Sequence, residues 1–519
     1  MYLRALAPLR LRRSGLTTLA ALGVLAAGCG STVPLAQQGT ATNDGLAGTG
    51  SGPSSSAPQA VTSSGAGPGA ATDGASSRAV PDSTSRDGSS SPLNGLAPGV
   101  PQAAGSLPVT GHGWDAKHVY VGVVTQKDFQ QTAASLGYGG LDPGDTEGQA
   151  RAVVDDINRR GGLFGRTLVL RFHDVPSVKS AQNPDTAGDE VCTDFAEDNP
   201  VVAVFNIVHT MDKAEFHACL AKKHIPLFDG ALSTIDKQAT AALSPYFYSL
   251  GTPTWNVLAP VFVQRLQAQG YFAGWNPQLG QPSATSKTVI GVLTPDTVLG
   301  LNDQKLIVSS LKAAGYASIV TYAYTPPGNE IDGAVLKFAQ SGVTHVISDD
   351  IELVAFQLHA QTQNYIPRYS INTFNAPSTN LEIVGPKQQQ VGDVGVGWGP
   401  TMDVSDAQDP GAFSSGVTTC RAMFAREQVH NSDRLAEAGG LMLCDAIRFG
   451  VGAMTAGHGL TGPAMFAGAV ATGRSFSSAF TFTAGLEQGR PFLPASVRDL
   501  KWNTSCSCFR YVAATSFRM

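Results

Sequence analysis

The sequence predicts an α/β protein with two lobes, each built on a doubly wound parallel sheet, and preceded by a disordered linker. Three observations support this fold class. Apolar strand-like runs alternate with helix-like segments along the chain. The alternation starts again after residue 270. Some 400 residues from Lys117 onward have ordinary globular composition, which is too many for one core and suits two.

The first 28 residues have the features of a secretory signal peptide. Four arginines precede an apolar run at residues 16–27, which is too short to span a bilayer comfortably. "LAAGC" is similar to the bacterial lipobox, in which the cysteine is lipidated and becomes the mature N-terminus, so Cys29 is the predicted lipid anchor. Ala26 stands where that motif usually has leucine. An ordinary signal peptide with an incidental cysteine is the alternative.

Residues 29–116 are predicted to be a disordered, lipid-anchored linker. Up to residue 107 the composition is dominated by Gly, Ser, Ala, Thr and Pro, which cannot bury enough apolar surface to offset the entropy of ordering. The same stretch contains no aromatic residue and no cluster of charges, which disfavours a binding arm. We therefore expect a tether that holds the globular part tens of ångströms from the membrane.

The charge balance disfavours nucleic acid as a partner. The whole chain has a formal charge of −5, and it becomes four units more negative once the four arginines of the signal peptide are removed. No basic stripe remains.

Six cysteines remain once Cys29 is assigned to the lipid, and they are close in sequence in pairs. In an exported protein this pattern predicts disulfides. The predicted pairs are Cys192 with Cys219, Cys420 with Cys444, and Cys506 with Cys508. Each of the first two would close a loop of about 25 residues, worth about 3 kcal/mol. The one-residue gap between Cys506 and Cys508 leaves a C-x-C metal or redox site as an alternative.

The globular part begins with a β-α-β unit. "VYVGVVTQ" (119–126) is a β-branched apolar run, as expected of a buried parallel strand. Apolar residues from Ala150 to Ile157 then recur at helical spacing, with acids before them and two arginines after them. Gly161–Gly162 end this helix, and "RTLVLRFHD" (166–174) resumes the strand pattern. A right-handed crossover makes the two strands parallel. A phosphate-binding turn at "GGLFG" is disfavoured, because such loops precede a helix and this one follows a helix.

The same alternation continues to about residue 370. The predicted elements are the strand "PVVAVFNIV", the helix "MDKAEFHACLAKKH", the strand "IPLFDGA", the strand "KTVIGVLTP", the helix "LNDQKLIVSSLKAAG", the strand "ASIVTYAYT", the helix "GAVLKFAQSG", the strand "THVISDD" and the helix "ELVAFQLHAQTQ". This order is typical of doubly wound α/β layers.

The segment "AVVDDINRRGGLFGRTLVLRFHD" resembles a characteristic segment of type I periplasmic binding proteins, the leucine/isoleucine/valine-binding family. In that family a helix ending in D-I-N-x-x-G-G-[IL]-x-G precedes a strand that ends in an acid. The likeness in element order extends from Lys117 to Met519, and many relatives carry a disulfide where this chain has Cys192 and Cys219. The resemblance implies two lobes joined by three crossing strands, with a small ligand held between them. The implied N-lobe comprises residues 117–252 and 399–480, and the C-lobe comprises 253–398 and 481–519.

Ligands of open α/β sheets bind beyond the carboxyl ends of the strands. In the N-lobe the resemblance places the family's hydroxyl and backbone amide for a ligand carboxylate near His209 and Thr210. The family's A-x-T/S motif matches Ala231, Leu232 and Ser233. Thr210 and Ser233 are thus expected to donate hydroxyl hydrogen bonds to the ligand. Helix capping is the alternative role for both.

The second lobe departs from the family's pattern. Leu299 stands where the amino-acid binders usually have an aromatic residue, and no acid for a ligand ammonium is evident in "NTFNAP". Asp349, Asp350 or Asp296 could substitute, unless these acids only cap helices and face water. Phe374, within "NTFNAP", is a further candidate contact. A small polar or amphipathic solute therefore fits as well as an α-amino acid.

The leading functional hypothesis is a monomeric, lipid-anchored solute receptor on the outer face of a bacterial membrane. It would deliver its ligand to the permease of an ABC-type importer, and hinge closure around the ligand would be its mechanism. A ligand-sensing or partner-binding envelope receptor with the same fold is the alternative. An enzyme is disfavoured, because H-E-x-x-H, G-x-S-x-G and G-x-x-x-x-G-K-[ST] are absent from the sequence. The ten histidines show no metal-ligand spacing, so neither a metal nor a cofactor is expected.

Overall fold

The computed structural model describes residues 107–519, except 136–138, 212–213, 234, 327–329, 406 and 410–412. The predicted signal peptide, Cys29 and most of the predicted linker lie outside the described residues. Within residues 107–116, an isolated β-bridge joins Gly111 and Trp114. The Trp114 side chain packs against the hydrophobic core of the first sheet, which is described next. Within the described ranges, no helix combines the length and the apolar character that crossing a membrane requires.

The first sheet has five parallel strands in the order β2-β1-β3-β4-β5. Its strands are β1 (His118–Thr125), β2 (Thr167–Asp174), β3 (Val204–Asn206), β4 (Leu227–Asp229) and β5 (Phe247–Ser249). The strand order reverses between β1 and β3, because β2 lies on one side of β1 and every later strand on the other. This confirms the predicted β-α-β start of a doubly wound layer.

Helices cover both faces of the first sheet, and we call the sheet with these helices the N-lobe. They are α1 (Phe129–Ser135), α2 (Thr146–Arg159), α3 (Ser177–Gln182), α4 (Pro184–Thr193), α5 (Ala214–Lys222) and α6 (Lys237–Leu243), together with three helices from later in the chain. Adjacent residues of β3 enter opposite cores: Phe205 packs with the later helices and Val204 with the α4–α5 side. This alternation is why the strand is apolar at every position.

The turn after α2 explains the glycines and the asparagine of the D-I-N-x-x-G-G segment. Gly161 and Gly162 have φ of +105° and +69°, which favour glycine. The Asn158 side chain then pairs with the backbone of Leu168 in β2, accepting from its N–H at 2.8 Å and donating to its carbonyl at 2.9 Å. The motif therefore joins the end of a helix to the start of a core strand and belongs to the scaffold.

The second sheet repeats the same strand order and adds an antiparallel edge. Its order is β14-β13-β12-β11-β10-β8-β9, with β15 paired to β13. Its strands are β8 (Ile290–Pro295), β9 (Ile319–Tyr324), β10 (His345–Ser348), β11 (Arg368–Asn372), β12 (Val394–Gly397), β13 (Ser496–Asn503), β14 (Cys508–Tyr511) and β15 (Phe517–Arg518). Strands β8 to β12 are parallel, whereas β13 runs antiparallel to β12 and β14. The parallel part confirms the predicted second lobe, and the antiparallel extension was not predicted.

Helices also cover both faces of the second sheet, and together they form what we call the C-lobe. Its helices are α7 (Trp255–Ala268), α8 (Val298–Ala313), α9 (Ile331–Gln340), α10 (Leu353–Thr362) and α11 (Pro400–Asp403), and β6 (Trp275–Asn276) pairs with β7 (Gln281–Pro282) in a small hairpin. Adjacent residues of β10 likewise point to opposite faces of the sheet: Ile347 packs with α7 and α8, whereas Val346 packs with α9 and α10.

The chain passes between the lobes three times. It enters the C-lobe between β5 and α7 and returns after β12 to form the three late N-lobe helices, α12 (Ser415–Arg426), α13 (Arg434–Ala456) and α14 (Gly462–Gly473). It then crosses again to reach β13. Hydrogen bonds connect the crossing segments to one another. The Trp398 indole donates to the carbonyl of Gly251 at 2.9 Å, and the Leu493 amide donates to the carbonyl of Ser249 at 2.8 Å.

All three predicted cysteine pairs are joined in the structure. Cys192 bonds to Cys219 between α4 and α5, and Cys420 bonds to Cys444 between α12 and α13. Cys506 bonds to Cys508 in the turn that links β13 to β14.

Candidate functional site

A cavity of about 270 Å³ lies between the two lobes. Both sheets reverse their strand order beside it, at β1 and β3 in the N-lobe and at β8 and β10 in the C-lobe. Its walls include residues that lie at most four positions after the ends of these strands, namely Gln126 after β1, residues 207–210 after β3 and residues 351–352 after β10. Such a reversal point is where open α/β sheets bind ligands. The volume is near the lower end of the range for small-molecule sites.

Most of the cavity wall is apolar. The N-lobe contributes side chains from α1 and its following loop, from the end of β3 and from the late helix α13, whereas the C-lobe contributes side chains from α10, from the segment after β11 and from α11. The apolar wall residues are Phe129, Ala133, Leu141, Pro143, Ile207, Val208, Leu232, Ile351, Val354, Phe374, Met402, Leu435 and Met442. A bound solute therefore needs an apolar part to gain from this wall.

Two tryptophans fix the position of Phe374 in the wall. Its ring stacks on Trp255 with centroids 5.7 Å apart and meets Trp398 edge-on at 5.1 Å. All three side chains are buried, and Trp398 is itself held by its bond to Gly251. Phe374 is thus a rigid aromatic surface beside the crossings between the lobes.

A chain of hydrogen bonds lines the N-lobe side of the cavity. The Gln126 amide donates to the hydroxyls of Thr210 at 3.2 Å and Ser180 at 3.0 Å. The Thr210 hydroxyl donates to that of Ser180 at 2.9 Å, which in turn donates to the carbonyl of Ser177 at 3.0 Å. The oxygen of the Gln126 amide is not used in this chain, and it is a polar group that a solute could contact.

An ionic contact joins the lobes at one end of the cavity. Nε2 of His209, from the N-lobe, lies 3.1 Å from Oδ1 of Asp350, from the C-lobe. The hydroxyl of Tyr324 lies within hydrogen-bond distance of both Asp350, at 3.0 Å, and Glu352, at 3.3 Å. Burial alone would raise the pKa of Asp350, but the charge and hydrogen bond of His209 hold that pKa below its usual value. Burial and the charge of Asp350 raise the pKa of Glu352 to about 8. Of these groups, His209 and Glu352 line the cavity.

Asp349 and Asn380 are two buried polar side chains near this end that lack some of their partners. Neither carboxyl oxygen of Asp349 makes a hydrogen bond to another described residue, and burial, followed by the charge of Asp350, raises its pKa well above the usual value. Asn380 lines the cavity and donates its amide to the carbonyl of Ile351 at 3.2 Å. Its amide oxygen has no partner among the described residues.

The structure brings some of the predicted ligand contacts to the cavity and leaves others away from it. His209, Thr210 and Phe374 line the cavity. The others lie elsewhere: Ala231 is buried with its amide bonded to Asp229, Ser233 is buried with its hydroxyl bonded to Asp229, Asp296 is exposed, Leu299 is buried in α8, and Asp349 is buried behind Asp350. The role of every one of these residues in ligand binding stays a prediction.

Several cavity residues were not identified from the sequence. Gln126 ends a predicted strand and Glu352 begins a predicted helix, but residue type alone did not distinguish them there. Leu435, Gly439 and Met442 lie on α13, more than 200 residues after the N-lobe strands beside which they pack. No local sequence pattern marks such residues, because they reach the cavity only after the chain has returned from the C-lobe to the N-lobe.

Comparison with known proteins supports the fold. The family described as periplasmic binding protein matches residues 144–419. A possible leucine/isoleucine/valine-binding protein from Rhodopirellula baltica has a TM-score of 0.55 at 15% identity, over 79% of this chain and 98% of its own. A branched-chain amino acid ABC transporter protein from Thermus thermophilus, solved with bound valine, has a TM-score of 0.56 at 10% identity, over 78% and 96%.

A third similar structure is a fatty acid ABC transporter substrate-binding protein from Thermomonospora curvata. Its TM-score is 0.55 at 13% identity, over 79% of this chain and 94% of its own. No curated protein shows significant similarity to the chain. At these identities the solved structures establish the shared fold, and they do not identify a ligand.

Proposed function

Because the chain belongs to the periplasmic binding protein family, we propose that it is the solute-binding component of an ABC-type importer. One observation carries this proposal: a single cavity has walls from both lobes and lies at the strand-order reversal of both sheets. A solute in this cavity contacts both lobes. It therefore stabilises the closed arrangement, and closure is the signal that a permease can recognise.

The solute is a small amphipathic molecule. The apolar wall favours an aliphatic or aromatic body packed near Phe374 and Met442. A polar group of the solute would contact His209 or Thr210, and a donor could bond to the amide oxygen of Asn380, which has no partner among the described residues. A branched-chain amino acid and a medium-chain acid both meet this description. The similar structures named above include one solved with bound valine and one described as a fatty acid ABC transporter substrate-binding protein.

The N-terminal segments support a place outside the cytoplasm. The predicted signal peptide exports the chain, a lipid on Cys29 anchors it, and the predicted linker gives the lobes enough reach to meet a permease in the membrane. The protein is proposed to act as a monomer and to bind its solute without chemical change.

Titration calorimetry with a panel of solutes tests the proposal. The panel contains branched-chain amino acids, their amides, short-chain and medium-chain carboxylates and polar sugars. We expect one solute to bind per chain. Gly439 lines the cavity on α13, and an added Cβ there meets no atom closer than 3.8 Å. Gly439→Phe should therefore fill the cavity and abolish binding, whereas Gly439→Ala keeps the space and should bind normally.

Two results would contradict the proposal. One is a complete lack of binding across the panel by the folded wild-type protein. The other is unchanged binding by a folded Gly439→Phe variant, since that would place the solute outside this cavity. Equal unfolding temperatures of the Gly439→Phe and Gly439→Ala variants show that both are folded and equally stable. A difference in solute binding between them then comes from the cavity.

A further inference from the structure

We propose that the His209 end of the cavity binds a divalent transition metal ion such as Zn²⁺, held by His209 from the N-lobe and by Asp350 and Glu352 from the C-lobe. One ligating atom of each side chain lies within 4.8 Å of the other two. An imidazole nitrogen with two carboxylate oxygens is a donor set that suits Zn²⁺ and its neighbours. His209 lies 141 positions before Asp350, and Glu352 follows Asp350 by two positions, so no spacing motif spans all three.

The contacts of His209 are those of a metal-ligating histidine. Its Nδ1 lies 3.1 Å from the carbonyl oxygen of Leu232, and because that oxygen can only accept, Nδ1 carries a proton. Metal-ligating histidines are typically oriented by such a bond on the second ring nitrogen. The Nε2 atom then faces Oδ1 of Asp350 at 3.1 Å, which requires either a proton or a metal ion between the two atoms.

This end of the cavity holds more carboxyl groups than cationic groups. Three carboxyl groups, those of Asp349, Asp350 and Glu352, stand against one imidazole, and no described lysine or arginine forms an ion pair with them. Asp349 is fully buried, and neither of its oxygens bonds to another described residue. In the ionised form that binds a metal ion, these carboxyl groups would be costly in a buried site without a compensating positive charge. A divalent cation supplies the missing charge, and it is often the largest local charge where it binds.

Tyr324 holds the two carboxylate ligands in place. Its hydroxyl, on a fully buried side chain, lies 3.0 Å from Asp350 and 3.3 Å from Glu352. Both carboxylates are therefore kept on the side that faces His209. Such supporting hydrogen bonds are a regular feature of metal sites in proteins.

The proposed ion would link the lobes and reach the solute. His209 and Glu352 both line the cavity, and three protein ligands leave a coordination position for another group. Among the described residues that line the cavity, none is lysine or arginine. The ion would thus provide the positive partner for a carboxylate headgroup. This last step rests on the proposed solute-binding function, whereas the metal site itself does not.

Titration of Zn²⁺ into the full chain, purified without a histidine tag and dialysed against a chelator, tests the site without any solute. We expect one ion per chain, and a cobalt-substituted protein should show visible absorption bands from the bound ion. His209→Gln and Glu352→Gln should each weaken binding at least about tenfold, the smallest loss expected when a ligand or its support is removed. The control is His173→Gln, which removes a half-buried histidine whose Nδ1 lies 2.7 Å from Asp194, away from the cavity, and should leave binding unchanged.

The metal site is overturned if the wild-type protein binds no stoichiometric ion, if both ligand variants bind as tightly as wild type, or if His173→Gln loses binding equally. Thermal unfolding shows whether the variants are folded, and Glu352→Gln keeps the shape of the side chain for this reason. Solute titration with added Zn²⁺ and with chelator then tests the second step. Solute binding that is indifferent to Zn²⁺ contradicts the role in solute recognition and leaves both the proposed function and the metal site intact.

Discussion

Two glycines in the turn after α2 allow a matched test of why the D-I-N-x-x-G-G segment needs its second glycine. Gly162 has φ of +69° and Gly165 has φ of +73°, so alanine at either position takes nearly the same unfavourable backbone conformation. Their surroundings differ. A Cβ at Gly162 would lie 2.0 Å from the carbonyl oxygen of Arg166, whereas a Cβ at Gly165 meets nothing within 4 Å.

The expected losses follow from this difference. Gly165→Ala should lower the free energy of unfolding by about 1–2 kcal/mol, the cost of a left-handed conformation for a residue with a side chain. Gly162→Ala carries the same cost and must also displace a backbone carbonyl that accepts the Leu163 amide at 2.9 Å. Overpacking of this kind costs roughly 1–3 kcal/mol more. The total for Gly162→Ala is therefore about 2–5 kcal/mol.

Urea denaturation followed by circular dichroism measures both variants under the same conditions. The difference between them isolates the steric contact, because the backbone cost is common to both. Equal losses in the two variants, or a loss below about 0.5 kcal/mol for Gly162→Ala, the usual size of a neutral surface change, would refute this account of the turn.

Three further predictions concern buried groups. Asn158→Ala leaves the N–H and C=O of Leu168 without partners and should cost about 2–3 kcal/mol in urea denaturation; a loss under 1 kcal/mol would mean that other groups replace the amide. Burial, with a contribution from nearby charge, lowers the pKa of His345 to about 4 in the folded protein. The unfolded chain therefore takes up a proton at this histidine at a higher pH than the folded protein does. The free energy of unfolding should fall by up to about 3 kcal/mol as the pH drops from 6.5 to 4. His345→Gln should flatten that part of a stability–pH curve, and an unchanged slope would exclude His345 as its source. Phe374→Ala removes a buried ring stacked on Trp255 and should lower the unfolding free energy by about 3–5 kcal/mol in the same assay. A change below 1 kcal/mol would show that neighbouring side chains move in to fill the space left by the ring.

The fold could be predicted from local patterns because each β-α-β step carries its own signal. The apolar run of β1, the helical spacing of α2 and the glycines after it all act within some 60 residues of sequence. The antiparallel edge formed by β13 and β14 could not be predicted in the same way. It follows the third crossing, and its pairing with β12 depends on where the completed lobes bring the chain.

The site was only partly predictable for a related reason. Strand ends mark which loops approach the cavity, and Phe374 follows such a strand end, whereas His209 and Thr210 were placed by the family resemblance. The rule does not say which way a side chain points. Ser233 follows the same kind of strand end, yet its hydroxyl bonds to Asp229 of the strand before it. The contact between His209 and Asp350 joins different lobes, and only the assembled fold places these two residues together.

Hydrogen–deuterium exchange with and without the solute that binds most tightly tests the central claim most directly, namely that one solute contacts both lobes at once. The account predicts that the bound solute slows exchange both at residues 207–211 after β3 and at residues 351–356 around the start of α10, since both segments contribute to the cavity wall. Protection confined to one lobe, or located away from both segments, would contradict it.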